Sequence, residues 1–190
     1  EDSMAKNLGK KIVCPKCKTK FYSMGKRKAS CPKCQKDNII PDGSEVQVKL
    51  KIRPGGYNDF KLGWTDGMAS EGKAGAIYLN CEFSALSPPH SGKKFFSLIG
   101  LHSPKGPWWS NKGRELIRGI LNSSNDINDQ DRSAEAIALR RLKSLKDLDG
   151  IVFHAKVKAV KDDNGRWKNE LDTAAVKDSV AEHPDSKNND

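Results

Sequence analysis

Residues 76–101 read AIYLNCEFSALSPPHSGKKFFSLIGL. Ala76–Leu86 and Lys93–Leu101 read as strands, and Ser87-Pro88-Pro89-His90-Ser91-Gly92 between them is a run of turn formers. The stretch is therefore a β-hairpin. Strand side chains alternate, so one of Phe95 and Phe96 faces inward and at most one is free to meet a ligand.

Working outward, Val46–Arg53 (VQVKLKIR) alternates apolar and polar as a strand with one buried face does. Pro54-Gly55-Gly56 stops it, and 58–75 reads as a long loop holding at most a short strand. On the other side the period changes. Trp109, Gly113, Leu116, Ile117, Ile120 and Leu121 share a helical face, which predicts a helix near 107–122. Ser133 is a candidate N-cap, and Ala136, Leu139, Leu142 and Leu145 predict a second helix over 133–145. Gly150–Lys161 alternates again. Asp163-Asn164-Gly165 is a hairpin turn, and Arg166–Thr173 returns as the last strand. Residues 178–190 are polar and are expected to be disordered. Antiparallel strands around a helical insertion suit a mainly β (α+β) domain over 46–177: an OB-like antiparallel barrel with two inserted helices.

Ahead of it lies a different composition. From Lys6 to Lys36 there are eleven lysines and arginines and no acid. Cys14-Pro15-Lys16-Cys17 and Cys31-Pro32-Lys33-Cys34 are two CPxC knuckles thirteen residues apart. Two thiolates two residues apart bind one ion from one tight turn, and a second pair closes a tetrahedron. A shell of four cysteines leaves no open position, so one structural Zn²⁺ is expected, without which so short a segment has too little core to fold. Residues 4–37 are thus expected to be a zinc ribbon, with 38–45 (DNIIPDGSE from Asp37 on) as a linker. The paired spacing and the odd fifth cysteine, Cys81, point to a reducing compartment, the cytoplasm. Cys81 lies inside a predicted strand and reads as a buried thiol.

Two resemblances sit on these residues. Lys11-Ile12-Val13-Cys14-Pro15-Lys16-Cys17, Lys20-Phe21-Tyr22 and Ala29-Ser30-Cys31-Pro32-Lys33-Cys34 resemble the FYDLN-type bacterial zinc ribbons over 4–36. The chain lacks the acidic stretch that follows the ribbon there, and Ser23-Met24-Gly25 stands where most of the Asp-Leu-Asn signature would be. The resemblance implies the zinc site and no activity. Residues 76–102, then Gly113-Arg114-Glu115-Leu116, then Leu148-Asp149-Gly150 with 152–160 and the Asp163-Asn164-Gly165 turn, are similar in pattern to phage-type single-stranded-DNA-binding proteins with an OB fold. That resemblance spans roughly 46–175 and implies strand binding.

The chain carries 34 Lys+Arg against 24 Asp+Glu over 190 residues, a net charge of +10, with 36% hydrophobic residues. The excess suits an anionic partner such as nucleic acid. No apolar run approaches the roughly 20 residues that span a bilayer, and no secretory signal follows Lys10 and Lys11. Single-strand binding needs basic charge and flat aromatic surfaces. The candidates are Lys93, Lys94, Lys156, Lys158 and Arg166 with Trp167 in the larger domain, and Lys26, Arg27 and Lys28 with Tyr22 in the ribbon. Phe21 reads as the ribbon's mini-core, and one of Trp108 and Trp109 as core. No catalytic residue is assigned: His90, His102, His154 and His183 are scattered, and no phosphate loop occurs. The expectation is a non-enzymatic single-stranded nucleic-acid (DNA) binding protein. Two alternatives stay open: a ribbon adaptor docking on a protein partner, and a metal-dependent nuclease using Asp126, Asp129, Asp131, Asp147 and Asp149.

Overall fold

The computed structural model describes residues 9–23, 25, 29 and 31–175, without the side chains of residues 35–37 and 175. Lys26, Arg27 and Lys28, and the 178–190 tail, lie outside the described residues.

The N-terminal unit is a short antiparallel hairpin and a helical turn. Strands β1 (Lys11–Val13) and β2 (Lys20–Tyr22) pair with Ile12 opposite Phe21, and helix α1 spans Pro32–Asp37. Pro32 opens α1, where its missing N–H costs nothing.

The rest is one curled antiparallel sheet. Its strands are β3 (Ser44–Arg53), β4 (Tyr57–Asp59), β5 (Trp64–Glu71), β6 (Ile77–Ala85), β7 (Lys94–His102), β8 (Val152–Lys161) and β9 (Trp167–Ala175). β7 runs along one edge of β6. β3 and β5 share the other edge end to end, β3 against Asn80–Ala85 and β5 against Ile77 and Tyr78. β3 then pairs β8, and β8 pairs β9. The long strands therefore lie in the order β7-β6-β3-β8-β9. The two outer strands curl back towards each other without forming a ladder, which makes a half-barrel.

Helix α2 (Trp108–Ser124) packs on β7, β8 and β9 and covers one mouth of this half-barrel. Its approach to β7 is set by two glycines. A Cβ on Gly113 would overlap the Gly100 carbonyl oxygen, and a Cβ on Gly100 would press into the Trp109 ring. Trp109 is thereby half-buried beside Tyr78, while Trp108 is exposed.

The inward phase of each strand builds the core. Val48, Leu50 and Ile52 alternate with Lys49, Lys51 and Arg53 on β3, and Leu79, Cys81 and Phe83 form the inward row of β6. Phe95 is the inward member of its pair, its ring stacked on Phe83 at 5.0 Å, with Phe153 edge-on to Phe83 at 6.1 Å. Burial pushes the Cys81 thiol up to about 12, so it is a packing residue.

Two segments differ from the sequence expectation. The 58–75 loop is mostly a β4–β5 hairpin, which Gly and Asp obscure in the sequence. The helix expected over 133–145 is only α3 (Ala134–Leu139), followed by a separate 3-10 turn at Leu145–Leu148. Ser133 caps α3 as expected. The helix ends at Arg140, whose guanidinium donates to Asn122 Oδ1 and to the carbonyls of Asn128 and Asp131. The next turn is started afresh by a Ser144–Asp147 capping box.

Candidate metal centre and nucleic-acid interface

The four ribbon cysteines meet. Cys14 and Cys17 come from the turn after β1, which closes with Lys18 N–H donating to the Cys14 carbonyl at 2.9 Å. Cys31 precedes α1 and Cys34 lies in it. Cys14 and Cys34 Sγ are 3.5 Å apart, as are Cys17 and Cys31 Sγ, and all four sulfurs lie within 4.8 Å of one another. A tetrahedron with metal–sulfur bonds of about 2.3 Å has sulfur–sulfur edges of about 3.8 Å, so one ion fits among them. Among the described residues this is the one cluster of His, Cys, Asp and Glu able to hold a metal ion. The thiols compete for protons. Thr19, through its hydroxyl and backbone N–H, draws Cys17 down to about 6, while hydrogen bonding to Cys17 and Cys14 pushes Cys34 up to about 12. A soft cation resolves that competition by accepting all four as thiolates.

The segment after the ribbon is stitched to the sheet. Asn169, buried on β9, accepts from Ile40 N–H and donates Nδ2–H to the Ile40 carbonyl, both at 2.8 Å. Asp42 Oδ1 accepts from Ala159 N–H at 2.8 Å.

On the outer face of β3, β6 and β7 the register aligns three rows: Lys49–Ser84–Lys94, Lys51–Glu82–Phe96 and Arg53–Asn80–Leu98. Phe96 is 47% exposed. The Arg53 guanidinium lies 4.5 Å from its ring centroid. Arg53 and Lys94 both bond Glu82, at 2.9 and 2.7 Å. Lys94 first, then Arg53, holds the Glu82 carboxyl below its ordinary range. Four cations thus surround one acid and one exposed ring.

The other sequence candidates scatter. Lys158 is 3.5 Å from Glu170, which Lys168 also bonds at 2.7 Å. Lys156 is exposed on β8 opposite Glu45. Arg166 is exposed at the β8–β9 turn, where its N–H bonds Asp162. Trp167 lines a cleft with Lys93. Tyr22 is exposed and Phe21 half-buried on the ribbon. Lys112 and Arg118 pair with Glu115 and Asp129. The sequence reading includes Lys94 of this face but passes over Lys49, Lys51 and Arg53. The signal was present: in VQVKLKIR the three cations all fall on the phase opposite the apolar residues.

Four of the five carboxylates weighed for a nuclease hold partners within the fold. Asp129 binds Arg118 and Asn122, Asp131 and Asp147 accept backbone N–H groups, and Asp149 accepts from Ile52 N–H at 2.7 Å.

Compared with known proteins, the chain is similar at residues 4–51 to a family described as "Protein of unknown function (FYDLN_acid)". The match covers the ribbon, the connecting segment and most of β3, well under half of the chain. No curated protein and no solved structure matches. No helix among the described residues is long and apolar enough to cross a membrane.

Proposed function

We propose that this protein binds single-stranded nucleic acid, DNA in the first place, without catalysis, on the outer face of β3, β6 and β7. The observation that carries this reading is the exposed Phe96 ring set among Lys49, Lys51, Arg53 and Lys94. A base stacks on such a ring, and the surrounding cations take the phosphates. Support also comes from topology. Five long strands in the order β7-β6-β3-β8-β9, with a helix between the third and fourth in sequence, follow the arrangement of an OB barrel, and such barrels bind oligonucleotides on this side. The four-cysteine cluster is read as a structural zinc centre, which would tie α1 to the β1–β2 hairpin. The reduced thiols fit the cytoplasm.

A second reading keeps one observation of its own. Val13 and Tyr22 are 53% and 47% exposed on the small ribbon, flanked by lysines, a surface suited to docking on a protein partner.

Fluorescence anisotropy of a labelled mixed-sequence oligonucleotide, with a duplex control, separates the two. Tight binding to the single strand, weakened by salt and by Phe96→Ala, is the expected result. Lack of binding to either form at low salt would leave the adaptor reading in its place.

A further inference from the structure

At the end of the sheet where the β6–β7 and β8–β9 turns meet, Ile39, Pro41, Asp42, His90, Lys93, Ala159 and Trp167 enclose an open cleft of about 760 Å³. That is within the size range of small-ligand sites. Its walls come from three separate segments. The wall formed by 39–42 is held in place by the Asn169 bonds to Ile40 and by the Asp42–Ala159 bond. An occupant therefore meets a formed site and orders little chain on entry.

The lining is mainly aromatic and apolar, with Lys93 and His90 beside one acid, Asp42, whose Oδ1 accepts from Ala159 N–H. Trp167 lines the cleft, and just outside the lining the Lys161 ammonium lies 5.1 Å from the Trp167 ring centroid. Lys93 and His90 both line it from the segment between β6 and β7. The apolar lining of Ile39, Pro41 and Ala159 suits a flat ring more than a hydrated ion. The cleft also adjoins the proposed interface. Lys93 lines it, the next residue, Lys94, is on the outer sheet face, and Phe96 is two residues further along the same face. A strand lying on Phe96 and Lys94 needs only to follow the chain round the end of β7 to reach Trp167.

We propose that this cleft is a second base-binding subsite of the same strand, in which one nucleobase enters against Trp167 while Lys93 and Lys161 take flanking phosphates. The proposal rests on the single-strand reading above. It adds that the segment joining the ribbon to the sheet is a wall of the binding site.

The test compares labelled single strands of four and fifteen nucleotides on the full-length, zinc-loaded protein, as wild type, Trp167→Ala, Trp167→Phe, Lys93→Ala and Phe96→Ala. Wild type should gain affinity on lengthening. Trp167→Ala should erase most of that gain, roughly 5- to 150-fold for one lost stacking contact, and Trp167→Phe should restore part of it. Lys93→Ala should lower the salt slope of the long strand by about 0.7, the share of one phosphate. Circular dichroism melts show whether each variant is folded, and the Phe variant carries the comparison if the Ala variant is not. A wild type that binds neither length overturns the sheet-face reading and the subsite with it. A wild type that binds both, with the lengthening gain and salt slope unaltered by the Trp167 and Lys93 variants, overturns the subsite alone.

Discussion

Glu82 shows how one side chain sets two properties. It sits on the outer sheet face between Arg53 and Lys94, and both cations hold its carboxyl below the ordinary value. A carboxyl whose folded value is depressed contributes stability above its unfolded value and loses it as pH falls through the folded one. Glu82→Gln should therefore flatten the loss of melting temperature between about pH 6 and pH 3, checked by thermal melts across that range. The same change removes the acid that offsets the cations around Phe96. It should tighten single-strand binding at low salt and steepen the salt dependence, read by anisotropy. Weaker binding would mean that Glu82 serves the interface by fixing Arg53 over Phe96. At this scale the metal ligands are legible, because thiolate spacing maps directly onto one turn of backbone. The proposed interface is half legible. Alternation puts Phe95 and Phe96 on opposite faces, but the neighbours of Phe96 on β3 and β6 are defined only by strand register, which no local pattern carries.

Elements are held by a few close contacts. Gly113→Ala puts a methyl group into the Gly100 carbonyl and pushes α2 off β7, a cost of about 1–3 kcal/mol expected for overpacking and measurable by urea unfolding. Asn169→Ala leaves the buried N–H and carbonyl of Ile40 without their partner, at about 1–3 kcal/mol for each group left unsatisfied. Proteolysis near residues 38–43 should rise with it. Period-2 alternation makes β3, β6, β7 and β8 readable, since each buries one face. The β4–β5 hairpin is hidden by its glycines and by Asp59, which bonds the N–H groups of Lys61 and Leu62 to shape the turn. The 133–145 helix is over-read because its Ala136–Leu145 stripe has helical spacing, while the chain leaves the helix at Arg140, which is anchored to Asn122 and Asn128. That is a tertiary effect overriding a local period.

The whole molecule joins a small unit carrying four clustered cysteines to a sheet with a core of its own. Phe83, Phe95 and Phe153 pack within that sheet, far along the chain from Cys14, Cys17, Cys31 and Cys34. Chelation should therefore unfold the ribbon and leave most of the sheet signal in circular dichroism, with near-ultraviolet bands of the core retained. A single cooperative loss of both would show that the Ile40 and Asp42 bonds make them one folding unit. The direct test of single-strand binding is a map of amide chemical-shift changes in the zinc-loaded protein as an unlabelled single strand is added at low salt. Shifts gathered on Lys49–Arg53, Glu82 and Lys94–Leu98, and reversed by salt, are the expected outcome. Shifts confined to Val13 and Tyr22, or none on the sheet, would contradict it.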